Sequence, residues 1–103
     1  METTKEVRDT VCHFAFTGKF TIDDQEKLKL VANSTIEPGV QKIIVNMSGV
    51  DYIDLDGLKL LRELAVECKD CHIGLEIESP TNYVENFIST TGMESVFNIK
   101  KSA

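Results

Sequence analysis

Apolar and polar positions change rhythm several times along this chain, and each change predicts an element. From Val11 to Thr17 the period is two, with Cys12, Phe14 and Phe16 on one side and Val11, His13 and Ala15 on the other, which predicts a strand. Residues Thr3 to Val7 predict a short partner strand, with Arg8, Asp9 and Thr10 as the turn and Gly18 ending the longer strand. Thr21, followed by Asp23 and Asp24, has the form of a helix start, an oxygen cap and then acids in the first turn. The helix it opens runs to about Asn33 and buries Leu28, Val31 and Ala32. Lys42 to Met47 holds the continuous apolar run Ile43-Ile44-Val45, which fits a strand covered on both faces.

After Tyr52-Ile53 comes a polar interruption, Asp54-Leu55-Asp56-Gly57, predicted as an exposed loop. A helix follows to about Lys69, with Leu58, Leu61, Leu64, Ala65 and Cys68 on one face. Period two returns from His72 to Glu78, where Ile73, Leu75 and Ile77 alternate with Gly74, Glu76 and Glu78. Ser79 as cap and Pro80 as first position predict another helix, which buries Val84, Phe87 and Ile88 and ends at Gly92. Val96 to Lys100 reads as a last short strand. The order β-β-α-β-α-β-α-β implies an α/β fold. Its sheet is mixed, of about five strands, with an antiparallel first hairpin, and three helices lie mainly on one face because so few cannot cover both.

The length of 103 residues supports one domain, spanning 1–103, with no repeat, low-complexity run or linker. Charge sharpens the picture. Seventeen acidic against eleven basic side chains leave a net charge of -6, which argues against nucleic acid and against an anionic membrane surface. No stretch approaches the roughly 20 apolar residues that cross a bilayer, so no direct membrane insertion is expected. Met1 to Glu6 lacks the apolar core of a signal peptide. With an odd number of cysteines, three, the expectation is a cytoplasmic protein in a reducing compartment.

Two clusters could carry chemistry. Cys68-Lys69-Asp70-Cys71 is a C-x-x-C, and His72 adds a third potential metal ligand. Such a pair is activated by a helix N-terminus, whereas this one falls at a predicted helix C-terminus, and Cys68 continues a buried stripe. A structural reading is preferred, with no disulfide and no metal. Asp51, Asp54 and Asp56 could together do acid–base work or hold Mg²⁺. The competing reading makes Asp54 or Asp56 the cap of the helix that starts around Gly57, with Asp51 in a turn. Phosphate-loop, dinucleotide and nucleophile-elbow motifs are missing, and neither histidine has triad spacing. The expectation is a protein that is not an enzyme and needs no cofactor.

Val45-Asn46-Met47-Ser48-Gly49-Val50-Asp51-Tyr52-Ile53-Asp54-Leu55-Asp56-Gly57-Leu58 resembles the signature of the STAS family, which includes anti-sigma-factor antagonists and domains of sulfate transporters. Members typically read strand, apolar-apolar-Asp-Ser-Ser/Ala-Gly-Leu, helix. Phe16-Thr17-Gly18-Lys19-Phe20 is similar to the family's strand before the first helix. Ser79-Pro80 through Phe87, and Thr91-Gly92-Met93-Glu94-Ser95-Val96-Phe97, are similar to its last helix and strand. The resemblance spans about Val11 to Ile99.

The resemblance implies a regulatory, protein-binding module that switches partners in bacterial transcription regulation. Its partner would be an anti-sigma factor or a serine-kinase-like protein, or alternatively a transporter or scaffold subunit. It also implies a partner-binding surface at Thr21, Asp54, Leu55, Asp56 and Gly57. In the family a kinase phosphorylates the Ser or Thr directly after the Asp, adding about -1.5 to -2 charges at a helix N-terminus. Here that phosphoacceptor position is Leu55, which has no hydroxyl. Thr21 stands where the family usually has an Asp, and Asp56 where it often has a small residue.

Overall fold

The computed structural model of the chain describes residues 2–33 and 37–100. Strand β1 (Glu2–Arg8) turns at Asp9 into β2 (Val11–Phe20). A short 3-10 turn (Ile22–Asp24) leads into helix α1 (Gln25–Ala32). Strand β3 (Lys42–Ile53), helix α2 (Leu55–Asp70), strand β4 (Gly74–Glu78), helix α3 (Asn82–Thr90) and strand β5 (Asn98–Lys100) follow. The five strands form one sheet in the order β1-β2-β3-β4-β5, antiparallel between β1 and β2 and parallel throughout the rest. This is the mixed α/β architecture that the alternating pattern predicts.

Alternation along the central strands fixes which face the helices cover. Cys12, Phe14 and Phe16 of β2 and Ile43, Val45 and Met47 of β3 are buried, and they share one core with Leu28 and Val31 of α1, Leu58, Leu61, Leu64 and Cys68 of α2, and Val84 and Ile88 of α3. The intervening side chains of β2 and β3, His13, Ala15, Ile44 and Asn46 among them, lie half-buried on the other face. That face is held by charge as well as by backbone pairing. Glu76 of β4 is only 4% exposed, 2.6 Å from Lys42 Nζ of β3 and 3.4 Å from Lys100 Nζ of β5. The Lys42 ammonium, hydrogen-bonded to Glu76, holds its carboxyl below the usual carboxylate range, against burial, which pushes it upward; Lys100 adds to the lowering.

Two strands run further than expected. Gly18 does not end β2. Its positive φ of 98° accommodates an irregularity in the β2–β3 ladder, and pairing resumes with Lys19 opposite Tyr52 and Phe20 opposite Ile53. In β3, Ser48-Gly49 looks like a turn but lies within the strand. Gly49 passes so close to β2 that a Cβ there would stand 2.6 Å from Thr17 Cγ2. Asp51 therefore sits in a strand and not in a turn.

Helix boundaries also move. Ser79 is not the cap of α3: it takes a left-handed φ of 52°, and Thr81 caps the helix, its Oγ1 accepting from Val84 N at 3.3 Å. The same hydroxyl donates to the Val50 carbonyl at 2.9 Å, tying α3 to β3, and Pro80 precedes the cap. The last strand begins at Asn98, not Val96, because Val96 N closes a turn onto Met93 O at 3.0 Å.

Candidate functional site

The extra length of β2 and β3 brings their ends together. Asp54 N donates to the Phe20 carbonyl at 3.4 Å, which sets Thr21 beside the start of α2. Of the two acids that could cap this helix, Asp54 does so. Its backbone is extended (φ -106°, ψ 179°) and its Oδ1 accepts from Gly57 N at 2.7 Å. Leu58 N closes the first helical bond onto the Asp54 carbonyl at 2.9 Å.

Asp54 to Gly57 is consequently not a loop throughout, because α2 begins at Leu55. Leu55 and Asp56 occupy the first turn and face solvent, Leu55 with 48% of its surface exposed. The carboxylate of Asp56 lies in the first helical turn, where it complements the positive end of the helix dipole. Gly57 is buried in the first turn of α2. A side chain there would run into Phe20.

Thr21 is occupied within its own turn. Its N–H donates to Asp24 Oδ2 at 2.8 Å, and its Oγ1 accepts from Asp23 N at 3.3 Å, a reciprocal capping box. Asp24 is itself buried and 3.9 Å from Lys27 Nζ. The structure thus brings Thr21, Asp54, Leu55 and Asp56 to one end of the sheet. Asp51, Asp54 and Asp56 do not converge: Asp54 is committed to the cap, while Asp51 and Asp56 face solvent. Among the described residues no group of three or more His, Cys, Asp or Glu is arranged to hold a metal ion.

The cysteine motif lies at the other end of α2. Cys68 is 1% exposed, and burial, followed by the nearby Cys71 and Glu67, pushes its thiol up to about 11. Cys71 is exposed and is the C-cap residue of α2.

The apolar pattern does not single out two aromatic side chains of β3 and α3. Tyr52 of β3 and Tyr83 of α3 stack, with ring centroids 5.8 Å apart and planes at 29°, and Tyr83 lies 6.4 Å from Phe87. Tyr83 adjoins the apolar stripe of α3 without belonging to it, and that was its only trace in the pattern.

A family profile for the STAS domain matches residues 2–103. The chain belongs to the STAS family. No curated protein sequence is significantly similar to it. Solved STAS-like structures superimpose over nearly its full length. A Thermotoga maritima protein assigned as an anti-sigma factor antagonist gives a TM-score of 0.85 at 20% identity, covering 97% of this chain and 86% of that one. The anti-sigma factor antagonist SpoIIAA in its unphosphorylated form gives 0.81 at 14% identity, covering 99% and 89%. A sulfate transporter family protein from Wolinella succinogenes gives 0.78 at 22% identity, covering 91% and 76%. At these identities the likeness is one of fold. No helix of this STAS chain, among the described residues, is long and apolar enough to cross a membrane.

Proposed function

We propose that this STAS chain is a non-catalytic regulatory module that docks to a protein partner through the start of α2. The observation that carries the reading is Leu55: an apolar side chain, 48% exposed, in the first turn of a helix whose cap is intact. An exposed leucine has no catalytic use. It suits a contact surface, and it cannot accept a phosphate. The partner-binding residues are Thr21, Asp54, Leu55 and Asp56, with Gly57 shaping the turn.

In this reading the site is held in one binding state. Asp56 is no substitute for a phosphorylated side chain, since a carboxylate carries about -1 charge and two acceptor oxygens, against roughly -2 and three for phosphate. It is also one position beyond the usual acceptor. The partner in an anti-sigma-type circuit is an anti-sigma factor or a serine-kinase-like protein, acting in transcription regulation in the bacterial cytoplasm. The likeness to a sulfate transporter family protein favours a second reading, an accessory or scaffold subunit of a transporter or signalling assembly.

Two measurements test the proposal. Leu55→Asp weakens binding to the partner recovered by pull-down, and an unchanged affinity removes Leu55 from the surface. Mass spectrometry of protein from growing cells finds no phosphate between Tyr52 and Leu58; a phosphate there defeats the constitutive site. Co-purification with a membrane permease selects the transporter reading.

A further inference from the structure

Exposed apolar side chains also occur on the elements that adjoin the start of α2. Tyr52 is 38% exposed and Tyr83 46% exposed, yet their rings are stacked on each other, and the Tyr83 ring is nearly parallel to that of Phe87, with planes at 16°. The stack joins two elements, β3 and α3, that the Thr81 hydroxyl already fixes together through the Val50 carbonyl. The rings are therefore held in place before any partner arrives, so little side-chain freedom is lost when they are covered. Ile22, next to Thr21 in the chain, is also exposed.

Carboxylates adjoin these groups along the chain. Asp51 is next to Tyr52, Asp54 and Asp56 flank Leu55, and Asp23 is next to Ile22. Against these four stand two ammonium groups, Lys19, paired with Tyr52 across the strands, and Lys59 in α2. The balance is negative, as it is for the whole chain.

We infer that the docking surface runs from Leu55 across Tyr52 to Tyr83, and that its occupant is a protein surface with arginine side chains around an apolar seat. Arginine is the complement that serves both features, since its guanidinium stacks on tyrosine faces and pairs with carboxylates. An acidic segment or an anionic lipid surface is repelled by the same rim. This inference rests on the proposal that the start of α2 is a docking site, and it adds α3 and the partner's chemistry.

The test uses the full chain carrying a photo-crosslinking phenylalanine analogue at position 55, at position 83 or, as a control, at Leu30, an exposed residue of α1. It is irradiated in the cells of origin, and adducts are mapped by mass spectrometry. One protein captured from both 55 and 83 and not from 30, with crosslinks beside arginines, is the expected result. With that protein purified, Tyr83→Ala, checked for folding by circular dichroism, lowers affinity about tenfold. Asp56→Lys also weakens binding, and wild-type affinity falls as salt is raised. Capture from 55 alone overturns the extension to α3 and leaves the helix-start site standing. Capture from 83 alone overturns the helix-start site, and capture from neither overturns both. Crosslinks to an acidic segment, or affinity that rises with salt, overturn the arginine-bearing partner.

Discussion

The carbonyl oxygen of Phe20 presses on the place where a Cβ on Gly57 would stand, and the Phe20 ring lies 2.8 Å from it. The first turn of α2 is pressed onto the end of β2 so closely that only a glycine fits. Gly57→Ala therefore pushes the helix start off Phe20 and destabilises the fold by about 1–3 kcal/mol, as overpacking of a fitted core does. Chemical denaturation measures the loss. A variant as stable as wild type means that β2 and α2 can separate without cost, which this contact does not allow.

The Asp54 cap predicts a graded series. Asp54→Ala removes the acceptor for Gly57 N and costs about 0.5–2 kcal/mol. Asp54→Asn keeps an acceptor and forfeits the charge at the helix end, worth about 0.3–1 kcal/mol, so it ranks between alanine and wild type. Thermal unfolding of the three proteins gives the order. Equal losses in both variants would mean that charge, not the hydrogen bond, is what the helix end requires.

Glu76 predicts a pH dependence. Lys42 and Lys100 lower its pKa in the folded chain from an ordinary value of 4.5. The unfolded chain then binds more protons than the folded one between these two values, so stability rises with pH across that window. The contribution is fully present above 4.5 and is lost as pH falls through the lower, folded value. Glu76→Gln lacks it. The stability difference between wild type and Glu76→Gln, from denaturant melts at a series of pH values, is larger at neutral pH than in strong acid. A difference that does not vary with pH contradicts the clamp.

The thiols predict a reactivity pattern. Cys68, buried and with its pKa pushed up to about 11, is almost entirely protonated at mildly alkaline pH, whereas Cys71 is exposed. A thiol reagent added to native protein labels Cys71 rapidly, and Cys68 and Cys12 only after denaturation, because both are buried. Rapid labelling of Cys68 would show α2 detaching from the sheet.

Much of this was readable from the chain alone. The strands carrying Phe14 and Val45, the buried stripe of α2 and the cap at Thr21 follow from apolar spacing and oxygen chemistry, and so does the sheet type. What was not readable depended on contacts between distant segments. Ser48-Gly49 looks like punctuation unless Thr17 is known to lie against Gly49. Ser79-Pro80 looks like a helix start until Thr81 is seen to serve both Val84 N and the Val50 carbonyl. Glu76 reads as one more solvent-facing acid because its lysines come from the two flanking strands. At the site, Asp54 and Leu55 stand out in the sequence, while Tyr52 and Tyr83 become neighbours only when α3 docks on β3.

Spatial order in the sheet repeats chain order from β1 to β5. Each strand is laid against the one made just before it, so no earlier pairing has to be reopened to admit a later strand. A nascent chain leaving the ribosome can close β1 on β2, wait for β3, and extend the sheet at one growing edge. In such a sequence α3 and β5 come last, and the Tyr52–Tyr83 stack forms only at that final stage. The ring pair therefore closes only after the central strands have paired, as one of the last contacts of this sheet to form.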